Sequence, residues 1–219
     1  MDSFIRAMPA APDDDLMIAP GVAYQRDMNA GRVFYGPEYL ARVAAYADTP
    51  VARAVNSGRC ALLARHLASG ASVLDVGAGD GAFVRCAQSW GFHARGFDVI
   101  PEAVHNLRLS GLYDEDPVLF DGVTAWDALE HMEVPALMLR RVRRGAVLCL
   151  SLPIFDDLHR VRESKHYRRG EHLYYFTSAG LVDWLALYGF RLLEISAHET
   201  DAGRDAIGAF AFCRDGAPA

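Results

Sequence analysis

The sequence predicts an α/β protein built on a mostly parallel sheet, with helices on both faces and an antiparallel hairpin at its C-terminal end. Three observations predict it. Strand-like and helix-like runs alternate through the middle of the chain, and that order requires parallel pairing through right-handed crossovers. The run Val73-Leu74-Asp75-Val76-Gly77-Ala78-Gly79-Asp80-Gly81-Ala82-Phe83 leads an apolar strand through three glycines into a helix start. Two further strand-like runs, Phe190 to Ala197 and Ala206 to Cys213, follow the last helix and are joined by the polar stretch His198 to Arg204.

Residues 1–20, with prolines and the run Asp13-Asp14-Asp15, read as a flexible arm, and residues 21–69 as an N-terminal helical cap. Apolar residues recur at helical spacing from Tyr39 to Ala47, and Thr49-Pro50 supplies an N-cap and first position for a second helix reaching Leu67. Gly70 closes it and opens the main domain, residues 70–219. Val73 to Val76 is the first strand, Ala82 to Trp90 a helix closed by Gly91, His93 to Asp98 a strand, and Pro101 to Leu109 a helix closed by Gly111. Gly122 to Asp127 reads as a strand, Pro135 to Arg143 as a helix ending at Gly145, and Ala146 to Ser151 as another strand. The polar stretch 153–176 is too long for an ordinary connection and is expected to be an active-site loop. Thr177 then caps a helix from Ser178 to Tyr188, stopped by Gly189.

The whole-chain properties bound the function. A chain of 219 residues, 52% hydrophobic and 23% charged, suits one domain with a sizeable core. Its formal net charge of −6 gives no overall attraction to nucleic acid. Cys60, Cys86, Cys149 and Cys213 contain no C-x-x-C pair and read as reduced cysteines. The N-terminus lacks a basic flank followed by an apolar run, and no long apolar stretch occurs, so a cytoplasmic protein without a membrane segment is expected.

The glycine turn carries the chemistry. Glycines let the backbone approach a ligand closely, and the helix beyond offers free N–H groups to it. Two cofactor classes use such a turn. Gly77, Gly79 and Ala82, with Asp98 about 20 residues on, satisfy the dinucleotide pattern G-x-G-x-x-G/A. Asp75 and Gly81 extend the run to acid-x-Gly-x-Gly-x-Gly, which resembles the first motif of the class I S-adenosylmethionine (SAM)-dependent methyltransferases. The resemblance covers most of the chain from Cys60 to Phe212. It implies a Rossmann-like seven-stranded sheet, SAM as methyl donor and S-adenosylhomocysteine as product.

Carried over to this sequence, the resemblance places the backbone of Gly77 and Gly79, with Asp75, against the methionine part of the cofactor. Asp98, followed by Val99, matches the acid that accepts hydrogen bonds from the two ribose hydroxyls. A carboxylate suits this role because it offers adjacent acceptors and no donor. Asp114, Glu115 and Asp116 occupy a shortened region where the third strand should run, and no adenine contact is assigned there. Trp126-Asp127-Ala128-Leu129-Glu130-His131 resembles the end of the fourth strand in the small-molecule branch, where an Asp-x-x-Glu-His sequence faces the cofactor. It departs from the Asn-Pro-Pro-Tyr and Pro-Cys motifs of DNA methylation. Arg59 is the candidate partner of the cofactor's carboxylate.

Ser164-Lys165-His166-Tyr167, Gly170-Glu171-His172-Leu173-Tyr174-Tyr175-Phe176-Thr177, and Glu199-Thr200 with Gly203-Arg204-Asp205-Ala206-Ile207 resemble signatures of a group of phage and bacterial methyltransferases. There the Glu-His pair precedes the helix after the fifth strand. Histidine is the natural base near neutral pH, so His172 is the leading catalytic candidate, His131 the second, and Glu171 a residue to orient His172 or contact substrate. Arg160, Arg162, Lys165, Arg168 and Arg169 make the 153–176 stretch basic, which fits either a solvated face or an anionic, nucleotide-like substrate. Tyr167, Tyr174 and Tyr175 are candidates to stack on a ring, and Tyr24 and Tyr35 to close over the pocket. No metal is assigned, since Asp156, Asp157, His159, His166 and His172 do not form a metal-ligand spacing. A SAM-binding subunit without activity, a methyltransferase acting on nucleic acid and a nicotinamide-dependent oxidoreductase are the alternatives. Oligomeric state and substrate identity do not follow from these residues.

Overall fold

A computed structural model describes residues 15–27, 35–116 and 120–216 of the chain. The expected arm lies largely in residues 1–14, outside the described residues. Its end is ordered: β1 (Leu16–Ala19) pairs antiparallel with β2 (Val22–Gln25). Two helices follow, α1 (Pro37–Ala47) and α2 (Pro50–His66). The Thr49 hydroxyl caps α2 by accepting from the Ala52 N–H at 3.2 Å, with Pro50 in the first turn.

The main sheet is built by β3 (Ser72–Val76), β4 (His93–Phe97), β5 (Gly122–Trp126), β6 (Val147–Pro153), β8 (Phe190–Ser196) and β9 (Ile207–Arg214). Between β6 and β8 lies β7 (Tyr174–Phe176), which leaves this sheet to pair with β2. The order across the main sheet is β4-β3-β5-β6-β9-β8; the first four run parallel, and β9 is antiparallel to both neighbours. The central strands are buried along nearly their whole length, as apolar runs covered on both faces must be, whereas the edge strand β4 alternates exposed and buried residues.

The sheet has six strands among the described residues, where seven are expected. Among the described residues, the region of the third strand shows one bridge, between Tyr113 and Gly96. The reason is local. The Asp114 carboxylate accepts from the backbone N–H groups of Glu115 and Asp116, at 2.7 and 3.2 Å, so these amides turn inward instead of extending a ladder.

Side chains alternate between the two faces. Leu74, Val123, Leu148 and Phe212 pack with Leu139 of α5 (Pro135–Arg141) and Leu181 of α6 (Ser178–Ala186). Val73, Ala94, Cys149 and Ala211 pack on the other face with Leu62 and Leu63 of α2, Phe83 and Val84 of α3 (Ala82–Ser89), and Leu107 of α4 (Pro101–Leu109). Thr177 caps α6 through Gly180 N–H at 3.0 Å. A short α7 (His198–Asp201) interrupts the link between the last two strands.

Residues 153–176, expected as a loop, carry the end of β6, a 3-10 turn at Leu158–Glu163 and the strand β7. The N-terminal hairpin anchors them. Gln25, 2% exposed, donates to the His172 carbonyl at 2.8 Å and accepts from Gly170 N–H at 3.1 Å. The hairpin turn also presses on α6: a Cβ on Gly180 would lie 1.8 Å from the Gly21 carbonyl oxygen, so only glycine fits there. No helix among the described residues is long and apolar enough to cross a membrane.

Candidate active site

The parallel register brings the ends of β3, β4 and β5 to one edge. Gly77, Gly79 and Gly81 have φ of +85°, +55° and +78°, which only glycine adopts readily. At Gly77 a Cβ would also meet the Ala128 Cβ at 2.8 Å. The Gly77 and Ala78 N–H groups both donate to the Phe97 carbonyl, at 2.9 and 3.0 Å. Asp98 completes the junction by accepting from Gly79, Val99 and Ile100 N–H at 2.8, 2.7 and 2.9 Å. Val99 beside it is 80% exposed and presents an apolar surface at this edge. A cavity of about 570 Å³ opens between Leu40 and Ala44 of α1, Gly79-Asp80 and the start of α4.

Asp75 lies beneath the turn. It is buried in β3 and accepts from the Thr124 hydroxyl at 2.6 Å, and burial pushes its pKa up to about 7 against that hydrogen bond. Its position supports the turn from within the sheet.

Trp126, at the end of β5, packs edge-on against Phe83 and carries the Arg59 guanidinium 4.9 Å above its ring. The next residue, Asp127, turns into the left-handed region with φ +51°. Arg59, expected to meet a cofactor carboxylate, is engaged with protein groups. Its Nε donates to Glu199 at 2.7 Å, and its Nη2 reaches Asp127 at 3.0 Å and the Ser151 hydroxyl at 3.2 Å. Arg204 closes the ring, contacting Asp127 at 2.9 Å and Glu199 at 2.6 Å. Glu199 is fully buried; burial alone would raise its pKa, yet the His198 hydrogen bond and the two arginines hold it well below the usual carboxylate range.

One turn beyond Asp127, the 3-10 turn Leu129–His131 presents Glu130 and His131. Glu171, His172 and Leu173 dock on it: Leu173 N–H donates to the Glu130 carbonyl at 2.7 Å, and His131 Nδ1 lies 2.9 Å from the Glu171 carbonyl oxygen. The two imidazole rings meet edge to face with centroids 4.7 Å apart. The Tyr35 hydroxyl is 3.0 Å from the same His131 Nδ1, which brings one of the two expected pocket-closing tyrosines to the site. Burial pushes His172 down to about 3, helped by its neighbour His131, and burial likewise lowers His131, so both rings are neutral near pH 7. Burial and the nearby Asp127 charge raise Glu130 well above the usual range.

The expected catalytic residues His172, His131 and Glu171 are therefore brought together. Glu130 joins them, although the sequence marks it only as part of Asp-x-x-Glu-His. The partnership of Glu199 and Arg204 with Arg59 had a sequence signal in the run from Glu199 to Ile207, but no role. The basic stretch is altered most. Arg160 pairs with Glu163, Arg162 and Arg169 with Asp15, Arg168 with Glu171, and Lys165 with Asp205. Each of its five cations has an acidic partner, three of them through acids outside the stretch, so the expected surplus of positive charge is neutralised.

A doubly covered α/β sheet with a glycine turn and an acid at the next strand end defines a nucleoside-cofactor protein. The particular family follows from comparison with known proteins. Residues 43–195 match the family described as Methyltransferase domain. The ubiquinone biosynthesis O-methyltransferase of Xylella fastidiosa is 30% identical over 166 residues, covering 63% of this chain and 68% of that protein. The chain is similar in structure to Burkholderia thailandensis 1,6-didemethyltoxoflavin-N1-methyltransferase, solved with 1,6-didemethyltoxoflavin and S-adenosylhomocysteine. The TM-score is 0.57 at 18% identity, over 96% of this chain and 100% of that one. The magnesium protoporphyrin IX methyltransferase of Synechocystis, solved with S-adenosylhomocysteine, matches with TM-score 0.54 at 18% identity, over 84% and 90% of the two chains. The chain belongs to this methyltransferase domain family: it is a class I SAM-dependent methyltransferase.

Proposed function

We propose that the chain methylates an oxygen or nitrogen atom of a small molecule held between α1, residues 153–176 and the C-terminal edge of the sheet. The observation that carries this reading is the grouping of Glu130, His131 and His172, with Glu171 and Tyr35, one turn past the end of β5. The bare backbone at Gly77 and Gly79 fits the methionine part of SAM. Asp98 takes the ribose hydroxyls, exchanging its bond to Gly79 for them, and the exposed Val99 faces the adenine. Trp126 and Asp127 border the methyl-bearing end, while Arg59 and Asp75 act as positioning residues beneath it.

Bound SAM supplies a methyl carbon on a positively charged sulfur. The chain's own residues align the acceptor with that carbon and keep water out. The acceptor atom would be held in line with the carbon–sulfur bond, so that its bond to the methyl carbon would form as that bond breaks, with the electron pair passing to sulfur. The acceptor's proton leaves on the side of His131 and His172.

The relative named for ubiquinone biosynthesis is an O-methyltransferase and the toxoflavin relative an N-methyltransferase, which supports either acceptor. The neutralised basic stretch supports a small molecule over a polyanion. The test is calorimetric titration with SAM, S-adenosylhomocysteine and NADH, followed by labelled methyl transfer to phenols, amines and RNA. Binding of the first two only is expected, with His172→Ala retaining SAM affinity and losing at least about tenfold in turnover. Undiminished turnover in His172→Ala, or transfer to RNA alone, would reject the reading.

A further inference from the structure

The grouping of Glu130, His131 and His172 has an unmet requirement. One ligand-type atom from each lies within 4.8 Å of the others. Glu130 is 1% exposed and His172 6%. Even so, Glu130 Oε2 and His172 Nδ1 are buried without a hydrogen-bond partner. Unpaired buried acceptors are costly, and several aimed at one point repel one another unless something positive sits between them.

The remaining bonds fix which ring atoms face inward. His131 Nδ1–H donates to the Glu171 carbonyl, which leaves Nε2 with a free lone pair, 4.0 Å from Glu130 Oε1. That separation is too long for a direct hydrogen bond. His172 bonds the His166 backbone, so its unpartnered Nδ1 supplies the inward lone pair. Both imidazoles are thus oriented by a backbone group on the far side of the ring, the arrangement that holds histidine as a metal ligand. Two imidazoles and one carboxylate form a donor set for a first-row transition ion such as Zn²⁺, and three protein ligands leave a coordination position open. The partial exposure of His131 marks the approach to that position.

We propose that Glu130, His131 and His172 bind one divalent transition-metal ion, whose open position takes the acceptor oxygen of the methylation. This deepens the functional reading above and rests on it for the second clause. The ion lowers the acceptor's pKa, so the proton passes to solvent and the histidines act through the ion. Such an acceptor carries a hydroxyl, which narrows the substrate class to phenols, enols and alcohols.

The full-length protein, stripped by chelator, is titrated with ZnCl₂ in the absence of SAM, and Co²⁺ absorption reports the geometry. One Zn²⁺ per chain is expected, weakened at least tenfold in both His172→Ala and Glu130→Gln, with circular dichroism confirming that both variants fold. Binding that is absent, or equal in the wild type and both variants, would overturn the site. A parallel SAM titration separates the two readings: loss of SAM binding with Zn²⁺ retained counts against the methyltransfer role alone. Chelator-stripped protein that methylates a phenol at the full rate would overturn the ion's part in the reaction.

Discussion

Three backbone N–H groups, from Gly79, Val99 and Ile100, point at the Asp98 carboxylate and hold it across the mouth of the glycine turn. A carboxylate has about four acceptor positions. In the proposed function, exchange of the Gly79 bond would leave enough of them for two ribose hydroxyls without releasing the other two amides. Asp98→Ala is therefore expected to lower SAM affinity at least tenfold, ~1.4 kcal/mol, as read by calorimetry. A change under twofold would remove Asp98 from the cofactor site. Gly77→Ala combines a φ of +85° with a Cβ 2.8 Å from Ala128, and is expected to weaken SAM binding while α3 and the sheet remain folded. Circular dichroism on the same sample separates the two effects.

Between elements, the ring of Arg59, Asp127, Arg204 and Glu199 ties α2, the end of β5 and α7 together. A fully buried carboxylate between two arginines is costly to break from one side. Glu199→Gln is expected to lose ~3–5 kcal/mol at neutral pH in denaturant unfolding. The pH dependence follows from the sign of the shift. Glu199 has its folded pKa held below the ordinary 4.5, so its contribution is complete above that value and is lost as pH falls below it. The gap between wild type and Glu199→Gln should narrow in acid; a gap unchanged from pH 7 to 3 would contradict the ring's charge state. Asp75 acts in the opposite sense. Its folded pKa is raised from 3.8 to about 7, so it costs stability increasingly as pH rises across that interval. Asp75→Asn should flatten the stability profile there.

For the whole molecule, the small sheet of β1, β2 and β7 is a second body fastened to the main one. It holds the 153–176 stretch in place through Gln25 and through the Gly21–Gly180 contact. Gly180→Val forces a side chain into the hairpin backbone and is expected to cost ~1–3 kcal/mol or more in stability. SAM affinity is expected to survive while methyl transfer falls. Equal loss of both would mean that the small sheet supports the cofactor side as well.

The elements themselves were legible from local physics. Periodicity placed the strands and helices, Thr49 and Thr177 marked their caps, and the glycines with Asp98 marked the turn at the sheet edge, because each depends on residues close in sequence. The third strand was overestimated since the Asp114 side chain competes for its own amides. Other features came only from pairing distant segments. The meeting of Glu130 and His131 with His172 depends on the docking of residues 171–173, and the neutralised basic stretch depends on Asp15 and Asp205. Arg59 turned from a ligand candidate into part of a buried ring because Glu199 and Arg204 approach it from α7 and the link to β9. The layered sheet and the glycine turn thus follow from short-range propensity and spacing. Which charges are cancelled and which histidines face each other is set on folding, because burial and ion pairing depend on contacts between segments that no local pattern connects.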